Sequence, residues 1–235
     1  MILSLVRLMS KNKIKYHPSV IWVPFISLVT IWFVYFIEIK FGFNFNKYGI
    51  YPKTITGLRG ILFSPFIHST TKHLLNNSLP LVILTASLFY FYRSIAFKIL
   101  IVGTIITGFL TWSFARPSYH IGISGVIYLL VSFVFFSGIF RKYYRLIALS
   151  LAVVFWYGSM IWYIFPVKER ISWEGHLSGF LTGLLLAYIY KKKGPQQETF
   201  QFSSNDEFEA MFDEEGNFNP QVEEEPNETI EEKLP

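Results

Sequence analysis

Two residues of this 235-residue chain suggest acyl-transfer chemistry, because each stands where a long apolar segment begins. Ser124 lies in a Gly-Ile-Ser-Gly sequence, and His176 lies in a Gly-His-Leu-Ser-Gly sequence two apolar segments further on. A histidine in contact with a serine can take the hydroxyl proton as the oxygen attacks a carbonyl group. Since two membrane crossings would separate the two positions, both side chains should open on the same side of a bilayer. The pair predicts an enzyme.

A second set of polar residues lies at the start of an earlier apolar segment and could assist the same chemistry. His73 and Asn77 are spaced i, i+4, so they share one face of a helix, and His68 comes just before them. Both side chains on that face could donate hydrogen bonds to an oxyanion near Ser124. Zinc binding is the rival interpretation of such spacing, but the partner here is Asn77 and no carboxylate joins the group. We therefore expect no metal and no cofactor.

The segment that carries His176 also predicts how it meets Ser124. His176, Gly179 and Gly183 share one helix face, and the two glycines would let a neighbouring backbone come close. If that neighbour is the helix of Ser124, the imidazole reaches the hydroxyl, and Tyr128, one turn further along, can stack on the ring. Glu174 is expected to cap its own helix, which favours a dyad over a triad. The alternative for Ser124 is a helix N-cap or a small packing residue.

The elements that position these residues are predicted to be membrane-spanning helices. Hydrophobic residues make up 52% of the chain and charged residues 16%, which is unusual for a soluble domain. Solid apolar runs, unlike the alternating pattern of barrel strands, indicate helices of roughly 17–25 residues. Six uncharged runs predict an all-α bundle of six transmembrane helices, at residues 20–37, 73–92, 99–115, 117–140, 146–167 and 175–190.

The charge distribution predicts topology and domain organisation. Residues 1–193 hold all but one of the 21 basic residues, whereas most of the 16 acidic residues follow them. The basic residues favour both termini inside, and their scatter over helix ends favours contact with lipid headgroups over nucleic acid. We predict a cytoplasmic segment at 1–18, a membrane domain at 19–193 and a disordered acidic cytoplasmic tail at 194–235. The tail could dock on a partner.

In combination, these motifs resemble the rhomboid family of intramembrane serine proteases. The resemblance covers roughly residues 57–190 and includes the GxSG serine, the tyrosine four positions later, the H-x2-G-x3-G segment and the H-x4-H-x3-N segment. It implies that Ser124 is the nucleophile and His176 the general base. It also implies that His73, Asn77 and the backbone from Gly122 to Ser124 hold the oxyanion, and that Tyr128 is the stacking tyrosine. The long aromatic first loop also matches, although Leu58-Arg59 stands where the family commonly has Trp-Arg.

The resemblance implies cleavage of single-pass transmembrane substrates near the outer membrane interface, through an acyl-enzyme. Aromatic residues of the fifth apolar run, including Trp156 and Trp162, could form a lateral gate for such a substrate or an aromatic belt that faces lipid. One alternative is a catalytically silent relative that binds transmembrane helices, although such relatives usually lose the serine or the histidine. Another is a transporter, but paired halves and broken helices are not visible. The composition, with no organelle-type presequence, suggests a bacterial plasma membrane.

Overall fold

The computed structural model describes residues 16–156, 162–167, 171–195, 211–212 and 215–218. In this part of the chain the structure is helical, and extended pairing is limited to two isolated bridges, Ile50–His120 and Phe212–Phe218. Three 3-10 turns lie at Asn46–Tyr48, Ser64–Phe66 and Trp162–Ile164. The α-helices are α1 (Ser19–Phe41), α2 (Ile55–Leu58), α3 (Gly60–Phe63), α4 (Thr71–Phe91), α5 (Ala96–Phe114), α6 (Ser124–Arg141), α7 (Tyr144–Trp156) and α8 (Trp173–Ile189).

Four of these helices, α1, α4, α5 and α6, are long and apolar enough to cross a membrane. The described part of α7 is a shorter apolar helix, and α8 has 17 residues. Large apolar side chains on the outer surface of α1 are exposed, as expected for contact with lipid tails: Ile21, Phe25, Phe33 and Phe36. The predicted all-α class is therefore confirmed.

One apolar run of the sequence does not form a single helix of the predicted extent. We predicted a span over residues 146–167, but α7 begins at Tyr144, and the described residues after it are a 3-10 turn at Trp162–Ile164 and non-helical residues to Val167. Trp162 thus lies outside the helix on which we expected it. The bounds of an uncharged run therefore do not give the bounds of a helix, since nothing in its hydropathy marks a turn.

Helix α6 is the centre of the bundle, and it packs against α8 at backbone distance. A Cβ atom added to Gly179 would lie 2.0 Å from the carbonyl oxygen of Gly125, and one added to Gly183 would lie 2.4 Å from that of Leu129. No larger residue fits at such distances without moving one backbone away from the other. The predicted glycine contact between these two helices is confirmed.

The long first loop, which lies between α1 and α4, is tied to the end of α5. The indole Nε1 of Trp112 donates to the carbonyl of Thr54 at 2.8 Å, and the Lys53 N–H donates to the carbonyl of Trp112 at 3.0 Å. Arg59 lies over the ring of Tyr48, with its guanidinium carbon 4.7 Å from the ring centroid, and donates to the Lys47 carbonyl. Arg59 therefore holds the loop together internally.

Candidate active site

Ser124 is the first residue of α6 and is half-buried. The turn before it needs a glycine, because Gly122 has φ +102°, a conformation that L side chains rarely adopt. At a helix start the first backbone N–H groups have no partner within the helix, and the helix dipole is positive there. The hydroxyl of Ser124 therefore lies where negative charge on a neighbouring oxygen would be stabilised.

His176 contacts Ser124 across the α6–α8 interface. Its Nε2 lies 2.8 Å from Oγ of Ser124, and its Nδ1 lies 2.9 Å from the carbonyl oxygen of Tyr163. Because a carbonyl only accepts, Nδ1 carries the proton, and the unprotonated Nε2 accepts the hydrogen of the serine hydroxyl. This is the tautomer that a general base requires.

The ring of Tyr128 stacks on the imidazole of His176, as predicted. The ring centroids are 4.2 Å apart and the planes differ by 14°. Both side chains are buried, so the stack and the Tyr163 carbonyl together restrict rotation of the imidazole. Sequence reasoning missed Tyr163, because a backbone carbonyl carries no residue-type signal.

His73, Asn77 and His68 form the neighbouring part of the site. A Cβ atom on Gly122 would lie 2.8 Å from Nε2 of His73 and 3.8 Å from Nδ2 of Asn77, so both side chains surround the turn before Ser124. Asn77 Nδ2 lies 3.1 Å from Nε2 of His68 and donates to it, and the rings of His68 and His73 are 5.0 Å apart. The predicted group is therefore brought together around the serine turn.

The hydrogen bond from Asn77 requires Nε2 of His68 to be unprotonated, so that it can accept. Burial, followed by the nearby His73, lowers the pKa of His68 from 6.5 to about 4, while the Phe66 carbonyl acts in the opposite direction. The ring is therefore uncharged near neutral pH. The contact of His68 with the rest of the group is thus made through the Asn77 amide.

One part of the expected oxyanion site is wrong. We predicted that the backbone of Gly122 assists, but its N–H donates to the carbonyl of Ser64 at 2.9 Å and is therefore engaged. Gly122 instead provides the space for the His73 ring and the backbone angle that the turn needs.

Glu174 does not cap its own helix, contrary to expectation. The N-cap is Ser172, whose Oγ accepts the N–H of Gly175 at 3.3 Å. The buried Glu174 carboxylate instead accepts the N–H of Arg116 at 3.3 Å and pairs with its guanidinium at 3.5 Å. Sequence spacing could not reveal this, because the partner comes from the connection between α5 and α6.

A small, partly polar cavity of about 40 Å³ lies beside Ser124. The polar side chains in its wall are those of Ser64, Thr104, Thr107, Thr111, His120, Ser124 and Ser172. By volume it can hold at least one water molecule. Within the described ranges, no three His, Asp or Glu side chains are grouped as a metal ligand set.

Comparison with known families agrees with this arrangement. The family model described as the Rhomboid domain matches residues 56–193, which is more than half of the chain. The chain therefore belongs to the rhomboid family, whose members are in general serine proteases of the membrane interior. With its apolar helices, this identifies a multi-pass membrane protein.

Curated relatives are found in mycobacteria. Uncharacterized proteins of Mycobacterium bovis and Mycobacterium tuberculosis are 33% identical over 162 residues, which cover 63% of this chain and 65% of each relative. An uncharacterized protein of Mycobacterium leprae is 31% identical over 152 residues, covering 60% of this chain and 59% of that protein. The matched stretch is thus less than two thirds of the length of these relatives.

Proposed function

We propose that this protein is an intramembrane serine endopeptidase that cleaves single-pass transmembrane substrates through a Ser124–His176 dyad. The 2.8 Å contact between Oγ of Ser124 and Nε2 of His176 carries the proposal. The direction of its hydrogen bond is supported by the Tyr163 carbonyl, which keeps the proton on the opposite ring nitrogen.

In the first half of the reaction, Ser124 Oγ attacks the carbonyl carbon of the scissile bond and its proton passes to Nε2 of His176. The resulting oxyanion faces His73, Asn77 and the free N–H groups at the start of α6. One donor of this kind is worth roughly 2.7–4 kcal/mol in a serine protease. The C–N bond then breaks as His176 returns the proton to the leaving amine, which leaves an ester on Ser124.

In the second half, water attacks the ester carbonyl and gives its proton to His176. The polar cavity beside Ser124 is a source of that water, because the buried Thr107 hydroxyl in its wall has no hydrogen-bond partner among the described residues. Collapse of the second tetrahedral intermediate releases the carboxylic acid and restores the serine hydroxyl. No cofactor takes part in the proposed cycle.

The proposed membrane arrangement has six spans, with α7 and α8 as the fifth and sixth. His73, Ser124 and His176 all lie near helix N-termini, in α4, α6 and α8, so three parallel spans would bring them to one side. With basic helix ends inside, that side is the outer face of a bacterial plasma membrane and both termini are cytoplasmic. The membrane domain would occupy residues 19–193, and the acidic tail, largely outside the described residues, would be a cytoplasmic segment.

Reconstitution into lipid vesicles tests the activity. A model single-pass substrate should be cut by the wild type, whereas Ser124→Ala and His176→Ala should lose cleavage by at least about 10³-fold. Ser27→Ala is the matched control, since that hydroxyl donates to the Val23 carbonyl within α1, away from the α6–α8 interface, and should leave cleavage intact. Binding of the substrate without cleavage by the folded wild type would instead identify a silent helix-binding relative.

Topology can be tested separately, because the chain contains no cysteine. A single cysteine at Ser118, near the site, should react with a membrane-impermeant thiol reagent added outside intact cells. A cysteine at Lys192, after α8, should react only after the membrane is opened. The reverse pattern would contradict the proposed orientation.

A further inference from the structure

Two histidine–serine contacts, and not one, join the α6 and α8 segments. The first is Ser124–His176, and the second joins Nδ1 of His120 to Oγ of Ser172 at 2.6 Å. His120 and Ser172 each lie four positions before a member of the first pair, so 52 residues separate the partners in both cases. In the second pair the residue types are exchanged, with the histidine on the segment that carries Ser124.

The hydrogen-bond directions of the second pair are determined by its neighbours. Nε2 of His120 lies 3.0 Å from the carbonyl oxygen of Arg116, which only accepts, so this nitrogen carries the proton. Nδ1 is then the acceptor and takes the hydrogen of the Ser172 hydroxyl. That oxygen in turn accepts the N–H of Gly175, one residue before His176. Burial lowers the pKa of His120, which agrees with a neutral ring.

Each member of this second pair is held close, along the chain, to one of the reacting groups. The backbone of His120 exchanges two hydrogen bonds with Ile50 of the first loop, at 2.8 and 3.0 Å, just before the turn that presents Ser124. The Ser172 carbonyl accepts the N–H of His176 at 3.2 Å. The two pairs also line the same cavity, through Ser124, His120 and Ser172.

We propose that His120 and Ser172 are positioning residues, which hold the serine turn and the first turn of α8 at the separation that lets His176 take the Ser124 proton. This proposal rests on the proposed protease function. The pair touches neither substrate nor the reacting atoms. It acts by setting the Oγ–Nε2 distance, and a displacement near 1 Å at such a contact costs roughly a hundredfold in rate.

A double-mutant cycle on the full-length protein tests this proposal. Ser172→Ala and His120→Ala should each lower kcat for the model substrate by roughly tenfold to a hundredfold with little change in KM. The double variant should be no slower than the worse single variant, since both changes break one contact. Ser172→Thr keeps a hydroxyl and an N-cap and should restore most of the rate. Ser118→Ala is the control, because its hydroxyl lies 3.4 Å from the other ring nitrogen and does not reach α8.

Labelling by a fluorophosphonate gives a readout that does not depend on the substrate. The single variants should label more slowly than the wild type while a melting curve shows folded protein at the assay temperature. Equal labelling and kcat in folded wild type, Ser172→Ala and His120→Ala would overturn the proposal. The proposal would also be overturned if the losses of kcat in the two single variants added up independently in the double variant. Absence of labelling and cleavage in the folded wild type would instead reject the protease function itself.

Discussion

The two sides of the Ser124–His176 pair differ in how tightly they are packed. On one side, α6 and α8 meet at their glycines, with backbone atoms almost in contact. On the other side, α7 buries few of its described residues, and Phe155 and Trp156 are 86% and 78% exposed. An apolar cavity of about 150 Å³ lies between α6, α7 and α8. The α6–α8 interface sets the dyad distance, whereas space for movement lies toward α7.

The Tyr163 carbonyl connects these two sides. It belongs to the 3-10 turn that follows α7 in the chain, yet it holds the Nδ1 proton of His176. A displacement of this turn would change the orientation of the imidazole without separating α6 from α8. The loosely packed side can therefore affect the basicity of His176 but not the helix spacing.

Among changes to the packing around the dyad, the largest effect is expected where the glycine interface is broken. Gly179→Ala places a methyl group 2.0 Å from a backbone oxygen, so the helices must separate, and cleavage should fall by about a hundredfold or more with a lower Tm. Gly125→Ala is the matched change on the facing helix, where the nearest atom is 3.2 Å away on the Thr107 side chain. The Tm of Gly125→Ala should fall much less than that of Gly179→Ala. Equal Tm values for the two variants would contradict the packing difference.

A smaller effect is expected from the tyrosine stack. Tyr128→Leu removes the ring that lies on His176 and should lower kcat by about three- to tenfold, the equivalent of one aromatic contact. Tyr128→Phe retains a ring, so its kcat should fall less than that of Tyr128→Leu. Steady-state cleavage assays at saturating substrate measure both. A leucine variant as fast as the phenylalanine variant would show that stacking does not orient the imidazole.

His68, which precedes α4 and contacts Asn77, should make stability depend on pH. Its pKa of about 4 in the folded protein lies below the ordinary value of 6.5, so the unfolded chain binds the extra proton between these values. The free energy of unfolding should therefore fall as pH decreases from 6.5 to 4, by at most about 3 kcal/mol. Tm in detergent micelles, compared with His68→Gln, isolates this contribution. A gap between the two proteins that stays constant with pH would contradict it.

The smallest effect is expected on the outer face of α7. Phe155→Ala should change the free energy of unfolding by less than about 0.5 kcal/mol, because the side chain is mostly exposed. Leu146→Ala, at a fully buried position of the same helix, should cost about 2–5 kcal/mol. Detergent denaturation curves of both variants measure the contrast. A large loss in the free energy of unfolding for Phe155→Ala would show that α7 packs on the bundle through that face.

The sequence was most informative where residue type and helical spacing together determine a contact. Ser124, Tyr128 and His176 could be grouped in advance, because i, i+4 spacing and the paired glycines of one helix restrict which faces can meet. His73 and Asn77 followed from the same rule. The all-helical class followed from the apolar runs, whose length and lack of alternation leave few other folds.

The remaining parts of the site depend on contacts that spacing does not encode. The Tyr163 carbonyl could come from any residue, and the Arg116–Glu174 and His120–Ser172 contacts join the connection between α5 and α6 to the start of α8, far along the chain. The engaged N–H of Gly122 was missed because Ser64, its acceptor, lies in the first loop. Hydropathy also gave no sign of the 3-10 turn at Trp162–Ile164.

Active-site labelling with a fluorophosphonate tests the central claim most directly, because it needs no knowledge of the natural substrate. Peptide mass spectrometry of the labelled wild type should find the phosphonate on Ser124, and His176→Ala should label far more slowly although it remains folded. Ser27→Ala, whose hydroxyl bonds within α1, should label like the wild type. Labelling on another residue, or labelling of Ser124 at an unchanged rate without His176, would contradict a nucleophile activated across the α6–α8 interface.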